Sequence, residues 1–209
     1  MKRLILLSKN FTQAAHDKLK QFCQKPDSEI KIAFCRNAAD LEENSDYIDS
    51  AKAELKAYGY KIQEFDLNLF CNRCSELTYL LGKFDATFFT GGSANYLIYL
   101  LNKTGLAAEY TELVKLGKII HIGFSAGAMI CAPSMKYAQV VDDTNGIPNL
   151  VDQGLNLTSI YIVPHYSDKP RYTKKYVEIL KTMDIGSDII IPLTNSQGIA
   201  IEEDDWEII

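Results

Sequence analysis

At 209 residues, with 47% apolar residues and a net charge of −5, the chain reads as one globular domain, residues 1–209. The acidic balance leaves no basic footprint for nucleic acid and no polybasic patch for a membrane surface. Five scattered cysteines, an odd number, do not make a secreted disulfide framework.

Near the start, Leu4-Ile5-Leu6-Leu7 is too short for a signal-peptide core and runs into Lys9 and Asn10. Arg3 to Ser8 therefore reads as a first strand, no transmembrane span is expected, and the expected location is the cytoplasm. Gln13 to Cys23 has helical spacing, and Glu29 to Cys35 alternates as a second strand. Asp40 to Tyr58 reads as a long amphipathic helix closed by Gly59. His16, on the early helix, is expected at the surface or its boundary.

Tyr60 to Asp66 is a third strand and Ser75 to Leu81 a short helix. Between them, Cys71-Asn72-Arg73-Cys74 lacks the second cysteine or histidine pair that a zinc site needs. It also does not open a helix after a strand in the thioredoxin manner, so no metal or cofactor is assigned. Asp85 to Thr90 is a fourth strand running straight into Gly91-Gly92-Ser93-Ala94-Asn95, with helices expected at Tyr96 to Asn102 and Ala107 to Gly117.

The next stretch organises the chain. An Ile-rich strand from Lys118 breaks at Gly123-Phe124-Ser125-Ala126-Gly127-Ala128 and resumes as a helix. Strand, sharp turn and helix make the context in which a serine between glycines is a nucleophile elbow. The Ala126 N–H would open that helix, where developing negative charge is favoured. Pro133 to Asn149 reads as irregular, Ser159 to His165 as a strand, and Arg171 to Met183 as a helix. Asp188 to Leu193 and Gly198 to Glu202 complete the strands, joined by an Asn195-Ser196-Gln197 turn.

Alternating strands and helices call for an α/β fold, a mostly parallel sheet covered on both faces. Ligands of such sheets lie beyond the carboxyl ends of the strands, where Thr90-Gly91-Gly92, Ser125 and His165 all fall. A serine hydroxyl needs a base. Among three histidines, His121 sits four residues before Ser125 on the same strand, roughly 13 Å away. By elimination His165 is the base. Asp142 or Asp143, in the loop between nucleophile and base, can orient it, or the two can simply form an Asx turn. Gly91 and Gly92 can bring a second backbone N–H to an oxyanion. Neither G-x-G-x-x-G nor a Walker lysine is present, which disfavours a phosphate loop.

Only 84 residues follow Ser125 (209 − 125), and His165 comes 40 later, too few for a usual α/β-hydrolase. Gly91-Gly92 after a strand, the Ser-Ala-Gly-Ala elbow and the Pro164-His165 pair instead resemble the peptidase E family of aspartyl dipeptidases, with cyanophycinases more distant. The resemblance implies a class I glutamine-amidotransferase-like (flavodoxin-like) three-layer fold with serine in place of cysteine. It implies Ser125 as nucleophile, His165 as base, and Gly92 and Ala126 as oxyanion donors. The implied substrates are dipeptides or short peptides with N-terminal Asp.

Arg171 is the first candidate for the aspartate carboxylate, followed by Lys169, Lys174, Lys175 and Arg36. The sequence departs from the family in its shorter glycine run and in the Asp142-Asp143-Thr144-Asn145 turn. The alternatives are a non-catalytic small-molecule binder on the same fold and a serine esterase or amidase.

Overall fold

The computed structural model describes residues 1–167, 170–182 and 189–209, the side chains of Arg171, Leu180 and Thr182 excepted. In chain order, β1 (Arg3–Leu7) leads to α1 (Gln13–Cys23), β2 (Lys31–Cys35) to α2 (Asp46–Ala57), and β3 (Lys61–Phe65) to α3 (Cys74–Leu81). After β4 (Ala86–Phe89) come α4 (Ala94–Lys103) and α5 (Leu106–Lys115), and after β5 (Ile120–Phe124) come α6 (Ala126–Met129) and α7 (Lys136–Val141). The rest is β6 (Ile160–Val163), α8 (Pro170–Thr182), β7 (Ile189–Pro192), β8 (Gly198–Glu202) and β9 (Asp205–Ile208).

Seven strands form one sheet in the order β3-β2-β4-β5-β1-β8-β9. The first five in that order are mutually parallel, and β8 and β9 close one end in antiparallel pairs. Side chains alternate across a strand, so each central strand feeds two cores. Leu4, Leu6 and Phe89 pack under α4, α5 and α6, whereas Ile5, Leu7, Phe88 and Ile122 pack under α1 and α2. This double burial explains why the central strands are mainly apolar on both faces, with Thr87 and His121 as buried polar exceptions. The result is a three-layer α/β architecture.

α1 shows how sequence dictates a layer. Thr12 Oγ1 accepts from the Ala15 N–H at 3.2 Å, Ala15, Leu19 and Phe22 face the core, and Gln24 at φ 52° turns the chain away. His16 on this helix is buried, not peripheral. It stacks on Tyr58 at 4.2 Å and meets the Tyr60 hydroxyl through Nδ1 at 2.5 Å.

Four expectations change. Asp40 to Tyr58 is not one helix: a 3-10 turn at Asn37–Ala39 gives way to a loop, and α2 starts only at Asp46, whose N–H is taken by the Asn44 side chain. β6 and β7 pair with each other in a separate two-stranded parallel sheet, because β8 already occupies the free edge of β1. The segment read as irregular contains α7 between Pro133 and Asp142. A turn through Glu203, at φ 55°, returns the chain as β9, which was not anticipated.

Candidate active site

The β5–α6 junction is built by close approach. A Cβ on Gly127 would lie 2.2 Å from the Phe89 carbonyl oxygen, so only glycine lets α6 settle onto β4. Three more contacts fix the turn. Ser125 N–H donates to Leu7 O at 2.9 Å, Gly127 N–H to Thr90 O at 3.2 Å, and His121 Nε2 lies 3.0 Å from Gly127 O. Ser125 itself is held at φ 50°, ψ −105°, a strained conformation for a non-glycine residue. The clamp imposes that strain and thrusts the hydroxyl out at the strand's carboxyl end.

His121 is fully buried, and burial lowers its pKa to about 4. A carbonyl can only accept, so Nε2 carries the proton and Nδ1 accepts from the Tyr110 hydroxyl at 2.7 Å. Tyr110 is in turn bonded to Thr87. His121 is thus a neutral strut beneath the elbow.

His165 follows β6 in a left-handed conformation, φ 61°. Its N–H donates to Ser8 Oγ at 2.8 Å, and Ser8 is buried at the carboxyl end of β1. Its Nε2 lies 3.1 Å from Ser125 Oγ, and its Nδ1 lies 2.6 Å from Asn195 Oδ1. The amide oxygen can only accept, so it fixes the proton on Nδ1 and leaves Nε2 to accept from the serine. Asn195 belongs to the turn between β7 and β8, and its own carbonyl receives the Asn10 N–H at 3.1 Å. Tyr172 of α8 packs its ring 5.2 Å from the imidazole.

The residue beside Nδ1 is therefore Asn195, which the sequence reading treated as part of a connecting turn. Asp142 Oδ2 instead accepts from the Ala94 N–H at 2.9 Å, at the start of α4. Asp143 Oδ1 accepts from the Asn145 N–H at 2.9 Å in an Asx turn. That bond, first among its causes, holds the Asp143 carboxyl below its usual pKa. Both carboxylates line a hollow of ≈ 580 Å³ beyond Gly92, next to the elbow cavity.

Gly92 adopts φ +132°, and a Cβ there would meet Ala38 O at 2.2 Å. Gly91 faces the Ser125 side chain. Among the described residues, the N–H groups of Gly91, Gly92 and Ala126 donate to no protein acceptor. Lys9, Glu42, Tyr47 and Tyr172 join Gly92, Ser125 and His165 around a cavity of ≈ 230 Å³. Tyr47 donates to Glu42 Oε2 at 2.7 Å, and burial followed by this bond raises its phenol pKa. None of Lys9, Glu42 and Tyr47 carried a signal in the sequence, because Lys9 reaches the cavity from the end of β1 and Glu42 and Tyr47 from the connection after β2.

Arg36 lines a separate groove near Phe65 and Phe70 and donates to Ser45 Oγ at 3.0 Å. The Arg171 side chain lies outside the described residues, as do Asp168 and Lys169. Lys175 bonds the Val141 carbonyl. Among the described residues no His, Cys, Asp or Glu cluster could hold a metal, and no helix is long and apolar enough to cross a membrane.

Comparison with known proteins bears on the family and the fold. The chain is similar to the uncharacterised peptidase Lmo0363 of Listeria monocytogenes, 32% identical over 171 residues and 81% of each chain. It is 30% identical to a peptidase E of Nostoc sp. over 173 residues, 80% of this chain and 66% of that one. A crystal structure of a candidate peptidase E from Listeria monocytogenes superposes with a TM-score of 0.82 at 28% identity, covering 100% of this chain and 98% of that one. The fold is thus the class I glutamine-amidotransferase-like, flavodoxin-like arrangement, with helices on both faces of the sheet. Residues 4–209 match Peptidase family S51, and the chain belongs to that family of peptidases.

Proposed function

We propose that the chain is a serine peptidase that hydrolyses dipeptides or short peptides beginning with Asp. The observation that carries this reading is the 3.1 Å contact between Ser125 Oγ and His165 Nε2, with the other ring nitrogen held by Asn195. In the forward step Ser125 Oγ attacks the scissile carbonyl carbon while its proton passes to Nε2. The carbonyl oxygen, now an anion, accepts from the N–H groups of Gly92 and Ala126, which have no competing acceptor among the described residues. His165 then returns the proton to the leaving amine, and the acyl-enzyme forms. Water repeats the sequence in reverse and releases the acid.

Asn195 fixes the tautomer but adds no negative charge beside the imidazolium, so its contribution is orientation. The aspartyl preference rests on the family resemblance and on the need for a cation. Arg171 is the candidate, next in sequence to Tyr172, which lines the cavity.

Ser125→Ala tests the reading. Hydrolysis of Asp-Leu should be abolished while the thermal unfolding midpoint stays near the parent's. Turnover within a few-fold of the parent would overturn it.

A further inference from the structure

The cleft carries opposite charges on the two sides of the nucleophile, and sheet order fixes which is where. The carboxyl-end loops of β2, β4, β5 and β1, which are consecutive neighbours, deliver Glu42, Gly92, Ser125 and Lys9. Ser125 therefore lies between an anion and a cation that line the same cavity. Among the described residues lining that cavity, Glu42 is the one carboxylate and Lys9 the one cation.

The direction of the substrate follows from His165. Its N–H rests on Ser8, the residue before Lys9, and its ring rests on Asn195, whose carbonyl receives the Asn10 N–H. The imidazole thus stands over the β1 side of Ser125. It must protonate the leaving amine, so the leaving amino acid lies on the Lys9 side and the acyl residue on the Glu42 side. In a dipeptide the leaving residue bears the free carboxylate and the acyl residue the free ammonium.

We propose that Glu42 receives the α-ammonium and Lys9 the α-carboxylate of a zwitterionic dipeptide, making the pair a length gauge that selects dipeptides over longer chains. This rests on the serine-peptidase reading above. The dimensions agree. Three strand spacings of roughly 4.8 Å give about 14 Å between the β2 and β1 ends. An extended dipeptide spans roughly 7 Å between its termini, so it fits between the two strand ends with room for the Glu42 and Lys9 side chains to reach it from their loops. Tyr47, donating to Glu42 Oε2, holds that carboxylate over the cavity and leaves Oε1 for the ammonium. A longer peptide would place a neutral amide opposite Lys9 and lose a charge-assisted bond.

Kinetics on Asp-Leu, Asp-Leu amide and N-acetyl-Asp-Leu test the pair. In the parent, amidation or acetylation should each lower kcat/KM about tenfold, as expected for one partly solvated charged contact. Lys9→Met should lower Asp-Leu turnover about tenfold and leave the amide within about twofold, and Lys9→Arg should restore the discrimination. Glu42→Gln should do the same for acetylation. Both side chains are exposed, so neither change touches a core. Equal losses on free and blocked substrates would overturn the proposal. So would a Lys9→Met variant that loses Asp-over-Asn preference instead of carboxylate preference. Ser125-dependent turnover of p-nitrophenyl acetate separates the two readings. If it persists while blocking the termini has no effect, the gauge fails and the serine chemistry stands. If Ser125→Ala leaves it unchanged, the serine reading itself fails.

Discussion

Two histidines grip the same elbow from opposite sides. His121 reaches Gly127 O from inside the sheet, and His165 reaches Ser125 Oγ from the cavity, each through Nε2 at close to 3 Å. Their surroundings make them different. His121 is walled in by Tyr110 and Phe89, and burial keeps it neutral. His165 is only half-buried, at the wall of a cavity, with Asn195 fixing its proton on the far nitrogen. One imidazole supports the backbone; the other faces the cavity and, in the function proposed above, exchanges protons with substrate. Both histidines bond to the elbow; access to the cavity is what separates them.

The largest expected separation between the two is in rate. His165→Gln should lower kcat by at least ~10³-fold with little change in unfolding midpoint, because it removes the base and not a core contact. His121→Gln should instead destabilise the fold by about 1–3 kcal/mol through lost buried hydrogen bonds. Denaturant midpoints and steady-state rates on the same samples check both, and a catalytic collapse in His121→Gln without loss of stability would erase the distinction.

Next comes the orienting residue. Asn195→Ala should cost about a hundredfold in kcat, since Nδ1 is released and the tautomer is no longer fixed. Asp142→Asn and Asp143→Asn should stay within a few-fold in rate. Asp142→Ala should cost about 1 kcal/mol of stability, as loss of a helix-start acceptor usually does. A hundredfold rate loss in either Asn variant would return the orienting role to the loop.

Substrate preference is a smaller effect. Asp-Leu should exceed Asn-Leu by roughly ten- to a hundredfold in kcat/KM, the worth of a charge-assisted contact to a cation. Arg171→Met should narrow that gap by slowing the Asp substrate. An unchanged ratio would assign the carboxylate to another cation.

The last contrast is read in unfolding and not in rate, as the pH dependence of stability. Unfolded His121 protonates near pH 6.5, but the folded chain resists its protonation down to about 4. Its contribution is therefore whole above pH 6.5 and is lost as pH falls toward 4, where the unfolded state binds the additional proton. The parent's unfolding midpoint should fall across that window more steeply than that of His121→Gln. Equal slopes would mean that His121 does not titrate as described.

The elements that fix the centre of this cleft were legible because local rules govern them. The apolar run before Gly123-Phe124-Ser125-Ala126-Gly127 folds as β5, a turn and α6, as its local pattern predicts, and three histidines left few to weigh against one another. The residues that surround the centre are set by non-local packing. Asn195 reaches His165 only because β8 pairs with β1 in antiparallel fashion and carries its preceding turn over the sheet end. Glu42 hangs over the cavity because the expected long helix breaks before Asp46. Asp142 and Asp143 looked suited to the orienting role by position in the chain. A helix start and a turn claim their oxygens, and neither demand shows in spacing alone.

The most direct test of the central claim is covalent labelling by a fluorophosphonate, followed by mass spectrometry of the digested protein. Phosphonylation should map to Ser125, be absent in Ser125→Ala, and slow by orders of magnitude in His165→Gln while remaining intact in His121 and Asp142 variants that stay folded. Failure of the folded parent to react, or a label that persists at full rate in His165→Gln, would contradict the account.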